Sequence, residues 1–209
     1  MTEGAVEIRV VRGRDIATTI RDLAALRIRV FRDWPYLYDG NTEYESKYLA
    51  DYAASDGAVV VLAEVNHRIV GAATAMPLLD HAVVEPSDDS DGVIGRLRRI
   101  GIAPEAVYYL GESVLEPEWR GRGLGHMFFE QRERVGFELN FSVFAFCAVQ
   151  RSPDHPRRPV AARDLGGFWS KRGYLLHPEV CAIMNWKDLD DAPETETPKR
   201  MAFWIKKAQ

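Results

Sequence analysis

Hydrophobic and polar positions along this chain follow two rhythms. Residues 5–11 alternate with a period of two, placing Val6, Ile8 and Val10 on one face, as in a half-buried strand. Residues 15–31 change to a period of 3.6. Ile16, Ile20, Leu23 and Val30 fall on one stripe there, which predicts an amphipathic helix. A second helix is expected over 42–54, with Asn41 or Thr42 as its cap. Residues 58–65 and 69–76 read as the strands of a hairpin turned at Asn66-His67-Arg68. An acidic stretch from Glu85 to Gly92 and a basic one from Arg96 to Arg99 then break the strand pattern. They read as an inserted loop and a short helix.

The second half begins with a strand over 107–115 and a helix over 123–139, whose Leu124, Phe128, Val135 and Leu139 face inward. Residues 141–149 are continuously apolar, as in a central strand. The run from Arg151 to Pro159 is too rich in proline to be regular. A helix over 161–172 follows. Strands over 179–186 and 199–206 end the pattern, separated by the acidic link 188–198. The order β, α, α, β, β, β, α, β, α, β, β predicts an α/β fold: one mixed, mostly antiparallel central sheet flanked by helices.

Length and charge narrow the reading. A chain of 209 residues can bury a full core without staples, so one domain over 1–209 is expected. A formal net charge of −4 gives no electrostatic case for nucleic acid as a partner. Cys147 and Cys181 lie in apolar segments and read as reduced core thiols. No set of His, Cys and carboxylates has metal-site spacing. The N-terminus has no signal-like pattern and no apolar run approaches a membrane span. A cytoplasmic protein without membrane contact is the expectation.

The most informative chemistry is the run Arg120-Gly121-Arg122-Gly123-Leu124-Gly125, between the expected strand and helix. A glycine turn there leaves backbone N–H groups free at the positive end of the helix dipole, where a phosphate or pyrophosphate binds. A dinucleotide fingerprint would need its third glycine at His126, and a kinase-type loop would need Gly-Lys-Ser/Thr.

This run resembles the Arg/Gln-x-x-Gly-x-Gly signature of the GNAT superfamily of acetyl-CoA-dependent N-acetyltransferases. The preceding Val114-Leu115-Glu116-Pro117-Glu118-Trp119 and the later Phe168-Trp169-Ser170-Lys171-Arg172-Gly173-Tyr174 are also similar to family segments. The order of elements agrees over roughly residues 5–186. The resemblance implies a GNAT-like acyl-CoA N-acyltransferase fold, acetyl-CoA as cosubstrate, and direct transfer to a small-molecule or peptide amine in a ternary complex. It implies that the backbone of Arg120, Gly121, Arg122, Gly123, Gly125 and His126 holds the pyrophosphate. Arg120 and Arg122 would add side-chain charge. It further implies that the strand splays at Val114, Leu115 and Glu116 to receive the pantetheine arm. An N–H near Leu115 would then stabilise the oxyanion. Trp169 stands where the family commonly has an acidic tyrosine, and Tyr174 lies beyond the helix. A thiol of pKa about 8.5 leaves as thiolate without such an acid. Phe168 and Trp169 then read as packing for the pantetheine or the core.

Several side chains suggest the rest of the site. Glu112 sits mid-strand, on the face expected to carry Leu110 and Val114. A carboxylate there is either the base that takes the ammonium proton or a buried partner for an arginine. Arg27 interrupts the apolar stripe of the first helix. It needs a carboxylate such as Glu112, an acidic group on the substrate, or a path to solvent. Trp34, Tyr36, Tyr38 and Asp39 form an aromatic, acid-tipped loop that suits an amine with an apolar body, or simply packs. Arg157, Arg158 and His155 could meet an acceptor carboxylate, or be solvated. His67 and His81 read as surface turn residues. Cys147 has no activating neighbour in sequence, so a covalent route through it is disfavoured. Two other classes compete: an inactive acyl-CoA sensor or regulatory module, and an interaction protein whose turn holds an incidental anion. A homodimer through the late strands is suggested, with Met201, Phe203 and Ile205 on one face of the last strand and Trp204 on the other.

Overall fold

A computed structural model describes residues 4–81, 92–193 and 195–208. Its eight strands are β1 (Glu7–Arg12), β2 (Val59–Val65), β3 (Arg68–Pro77), β4 (Val107–Tyr109), β5 (Ser113–Leu115), β6 (Val143–Val149), β7 (Leu175–Trp186) and β8 (Thr197–Lys207). They form one sheet in the order β1-β2-β3-β4-β6-β8-β7, with β5 also paired to β3. Every pairing is antiparallel except β4 with β6. Helices α1 (Ile20–Phe31), α2 (Thr42–Ala54) and α3 (Val93–Arg99) pack on one face, and α4 (Leu124–Glu138) with α5 (Gly166–Lys171) on the other. The expected loop at Glu85–Gly92 lies, Gly92 apart, outside the described residues.

Local chemistry explains the boundaries. Asn66 and His67 both adopt positive φ, which is the two-residue turn that matches strand twist in a hairpin. Asn41 caps α2, its Oδ1 accepting from the Tyr44 N–H at 2.9 Å. Asn41→Ala should cost about 1 kcal/mol. Thermal unfolding would show this as a midpoint lowered by ~2–4 °C; an unchanged midpoint would mean that the cap is redundant.

Elsewhere the boundaries differ from expectation. α1 begins at Ile20, because residues 13–18 form a 3₁₀ turn after Gly13, whose φ is +56°. α5 covers only 166–171 of the expected 161–172. Residues 161–165 offer no buried stripe, and Asp164 caps the helix start by accepting from the Gly166 N–H at 2.8 Å. β7 begins four residues earlier than expected, and a register shift between His177 and Cys181 absorbs Pro178. Leu139 follows the last helical turn and is 41% exposed, so it does not face the core. Met201, Phe203 and Ile205 are buried in this chain's own core, and Trp204 packs on Phe146 and Trp169. β8 therefore lies between β6 and β7, and the strand at this edge of the sheet is β7.

The strand expected over 107–115 is broken. β4 pairs with both β3 and β6, and β5 with β3 alone. The last link to β6 is the Leu110 N–H donating to the Ala145 carbonyl at 2.7 Å. Across the break, Tyr109 and Val114 share the α1–α3 face although they are five residues apart, while Leu110 packs on the α4 face. One inserted residue has shifted the phase, as in a bulge. The expectation that Leu110 shares a face with Val114 fails for this reason. Gly111 is required at the break: a Cβ there would overlap the Tyr52 hydroxyl and stand 2.6 Å from Thr74 Oγ1.

Candidate active site

The break opens a gap in the sheet. Glu116 N–H donates to the Val70 carbonyl, and Thr74 N–H to the Glu112 carbonyl, both at 3.0 Å. With Ala72 opposite Val114, residues 112, 114 and 116 therefore turn their backbone toward β3. Ser113 and Leu115 turn theirs away, toward the space that β6 has left. Of the three residues expected to meet the pantetheine arm, only Leu115 presents its N–H there. The Val114 and Glu116 amides are already committed to β3. The Glu116 carboxylate is also held, by Arg68 at 2.7 Å and Arg29 at 3.0 Å.

At the far end of β5 lies the glycine turn. Gly121 and Gly123 have φ of +79° and +84°, and Gly123 is the first, left-handed residue before α4. Side chains rarely adopt that conformation. The N–H groups of Gly121, Gly123, Leu124 and Gly125 have no hydrogen-bond partner among the described residues. A Cβ at Gly121 or Gly123 would meet no protein atom within 4 Å, so the turn faces open space. Four free donors at the positive end of a 15-residue helix fit a pyrophosphate. Arg120 is exposed, its Nε donating to the Leu115 carbonyl at 3.1 Å, and Arg122 lies over the Trp119 ring at 4.6 Å. The His126 ring contacts Arg172 and Phe168. Phe168 packs beside Gly125 and Phe129, and Trp169 packs on Phe146 and Trp204. The Tyr174 hydroxyl is buried and donates to Glu133 at 2.8 Å, and burial raises its pKa. It is not an acid for this site.

One buried cation pins the gap from below. Arg132 of α4 is 1% exposed and donates to the Thr74 and Glu112 carbonyls at 3.2 Å, and to Ser113 Oγ at 2.8 Å. Burial lowers its pKa to about 10. Among the described residues it has no carboxylate within ion-pair distance, and its bonds tie β3 to residues 112–113 at the break and reach back to the Phe128 carbonyl of its own helix.

On the α1–α3 face a pocket of about 90 Å³ opens beside Glu112. Arg27 lies at its base and is buried, which settles it against a path to solvent. It pairs with Glu112 at 2.6 Å and also with Glu45, and it stacks over Tyr48 and Phe31. Burial opposes the charge on Arg27, but Glu112 and Glu45 outweigh it and raise the pKa. Glu112 also accepts from the Tyr48 hydroxyl at 3.3 Å. Tyr36 and Tyr38 line the pocket as expected. Trp34 does not: its ring lies 5.3 Å from that of His155, tilted by 57°. Asp39 is tied instead to Lys187 and Arg32. Arg157 pairs with Asp190, and Arg158 donates to the Pro153 carbonyl, so neither reaches the pocket.

His81 lines the same pocket and is only 4% exposed, contrary to the surface role expected of it. Its Nε2 lies 2.9 Å from the Tyr48 hydroxyl and 3.0 Å from that of Tyr52. Burial, and secondarily Arg27, push its pKa down to about 3. An unfolded histidine titrates near 6.5. Above that pH both states are neutral and stability is complete. Below it the unfolded chain takes up a proton that the folded chain refuses until about pH 3. Stability should thus fall by about 1.4 kcal/mol per pH unit below 6.5 through this group. Urea unfolding of wild type and His81→Gln between pH 7 and 5 would show it: the wild-type curve should fall more steeply, and parallel curves would contradict it.

Cys147 also lines the pocket, 3.0 Å from the Tyr109 hydroxyl. Burial raises its pKa to about 11, so it is a protonated thiol, not a nucleophile. Residues that sequence reasoning did not assign here are Glu45, Tyr48, His81, Tyr109 and Trp186. Among the described residues no group of His, Cys and carboxylates could hold a metal, and no helix is long and apolar enough to cross a membrane.

Comparison with known proteins agrees with this geometry. No curated protein matches the chain significantly. Solved structures share its fold. Ribosomal-protein-alanine N-acetyltransferase from Brucella melitensis is 14% identical with a TM-score of 0.58, covering 96% of this chain and 99% of that one. A Salmonella typhimurium protein solved with its cofactor acetyl-CoA is 13% identical with a TM-score of 0.58, covering 99% and 95%. PaiA N-acetyltransferase from Thermoplasma acidophilum in complex with coenzyme A is 12% identical with a TM-score of 0.51, covering 97% and 99%. At these identities the likeness is one of fold. The sequence profile of the acetyltransferase (GNAT) family matches residues 25–166, from α1 through the broken strand and glycine turn to the start of α5. This chain belongs to the GNAT acetyltransferase family, and acetyl-CoA is its cosubstrate.

Proposed function

We propose that the chain, as a single domain over 1–209, moves the acetyl group of acetyl-CoA directly onto a primary amine held in the pocket beside Glu112. The observation that carries this is the placement of Glu112. Its side chain enters the pocket on one face of the broken strand, while the same strand presents the free N–H of Leu115 and leads to the open glycine turn.

Acetyl-CoA supplies the acetyl group as a thioester. Gly121, Gly123, Leu124 and Gly125 would hold its pyrophosphate through backbone N–H groups, with charge added by Arg120, Arg122 and the His126 region. Ser113 and Leu115 would receive the pantetheine amides as an added strand. Glu112 accepts the proton of the acceptor ammonium, directly or through one water. The freed nitrogen bonds the acetyl carbon, and the Leu115 N–H stabilises the oxygen that becomes negative there. The carbon–sulfur bond breaks and the thiolate leaves with its electron pair. No side-chain acid is assigned to it: Trp169 cannot serve, and a thiolate is an adequate leaving group at neutral pH. Trp169 and Phe168 form the apolar wall behind the gap. Arg132 is a positioning residue that keeps the strand open.

Coenzyme A thiol release, measured with acetyl-CoA and a panel of primary amines, tests the reading. Release dependent on one or more amines is expected. Tight acetyl-CoA binding without release by any amine would favour a sensor instead.

A further inference from the structure

The pocket carries more negative charge than a single base requires. Arg27, Glu45 and Glu112 have side chains 9%, 0% and 5% exposed, and the one cation is shared by both carboxylates. With both ionised, the cluster holds one net negative charge inside the protein. Such a charge is costly unless a cation balances it. We propose that Glu45 and Glu112 together form the seat for the acceptor's ammonium group, and that the acceptor is a slender primary amine on an apolar body with no carboxylate beside the amine. The proposal rests on reading Glu112 as the base.

Three further observations support it. Glu45 lines the pocket, and among the described residues its buried Oε1 has no hydrogen bond of good geometry, with the Tyr38 hydroxyl nearby, so it can accept from a further donor. Among the described residues Arg27 is the only cation in the pocket wall besides His81, which burial keeps neutral above about pH 3. An α-carboxylate would therefore enter beside two carboxylates with no cation of its own to pair with. Apart from Asn185, the rest of the wall is mostly apolar or aromatic, including Phe31, Tyr36, Tyr38, Met184 and Trp186. The space of about 90 Å³ beside Glu112 admits a slender amine end.

The test compares amines with the amino acids that differ by one carboxylate. Wild type is assayed for coenzyme A release with 2-phenylethylamine and butylamine, and with L-phenylalanine and L-norvaline, which add one carboxylate to each. At least one of the simple amines should exceed both amino acids in kcat/KM by about 100-fold or more. Glu45→Gln should raise the amine KM about tenfold or more, with acetyl-CoA affinity by calorimetry unchanged. Should that variant not fold, the wild-type comparison still decides. An amino acid used as well as its simple amine, or an unchanged amine KM in folded Glu45→Gln, overturns the proposal and leaves the acetyltransfer reading standing. If wild type binds acetyl-CoA but acetylates none of these amines, the proposal is also overturned. If Glu112→Gln retains full turnover, the failure belongs to the assignment of the base.

Discussion

Glu112→Gln should lower amine-dependent turnover by about 10²–10⁴-fold, the usual contribution of a positioned base. Acetyl-CoA affinity should stay within about threefold, because the Glu112 backbone is committed to β3 and its side chain to the acceptor pocket. The amide keeps the volume of the carboxylate and can still accept from the Tyr48 hydroxyl, which lies 3.3 Å from Oε2. It cannot take up a proton. A purely structural role predicts a different pattern. Removing one partner of a buried ion pair typically costs about 3–5 kcal/mol. Here Arg27 retains Glu45, so the loss should be smaller. A large fall in melting temperature with near-normal turnover would make Glu112 a structural anchor; a large fall in kcat with a modest melting shift would make it the base.

Gly123→Trp should weaken acetyl-CoA binding by about 100-fold or more, since it covers several donors that together anchor two phosphates. The residue sits at φ +84°, so any side chain there adds strain of roughly 1–2 kcal/mol. Nothing lies within 4 Å of its Cβ position, so the indole displaces no core atom and the chain should still fold. Gly101→Trp provides the control. Gly101 has φ +74° and equally open surroundings, but follows α3 rather than opening α4. It should carry the same strain and bind acetyl-CoA normally. Equal losses in both variants would attribute the effect to strain alone.

Parts of this site were legible because they break a local rule. Arg27 was visible as a charge inside an apolar stripe, which left pairing with Glu112, a substrate acid or solvent open; the structure buries it between Glu112 and Glu45. The glycine turn was visible as a glycine-rich run between strand and helix patterns, and two of its glycines adopt a left-handed backbone that side chains strain. Glu45 gave no such signal. It stands among charged residues in the first turn of α2, where solvation or the helix dipole would explain it. Only the packing of α2 against α1 buries it opposite Arg27. His81 follows Asp80 in a polar neighbourhood and looked like a turn residue. Its burial depends on Tyr48 and Tyr52, one helical turn apart on α2 and some thirty residues away in sequence. The loop after α1 was read as one aromatic surface. Leu37 instead adopts a left-handed backbone, with φ of 54°. Tyr36 and Tyr38 face the pocket, whereas Trp34 meets His155. The break in the strand had one local trace, Gly111, whose lack of a side chain makes room for Tyr52 and Thr74.

The central claim is that the glycine turn, the open backbone of β5 and the acidic pocket are parts of a single site meeting at Glu112. The most direct measurement is an experimental structure of the protein bound to coenzyme A. The account predicts the pyrophosphate on the N–H groups of Gly121 to Gly125, the pantetheine arm along Ser113 and Leu115, and the sulfur at the pocket mouth, within reach of Glu112 through at most one water. Coenzyme A seated elsewhere, or with its thiol on the α4 face away from Glu112, would contradict it.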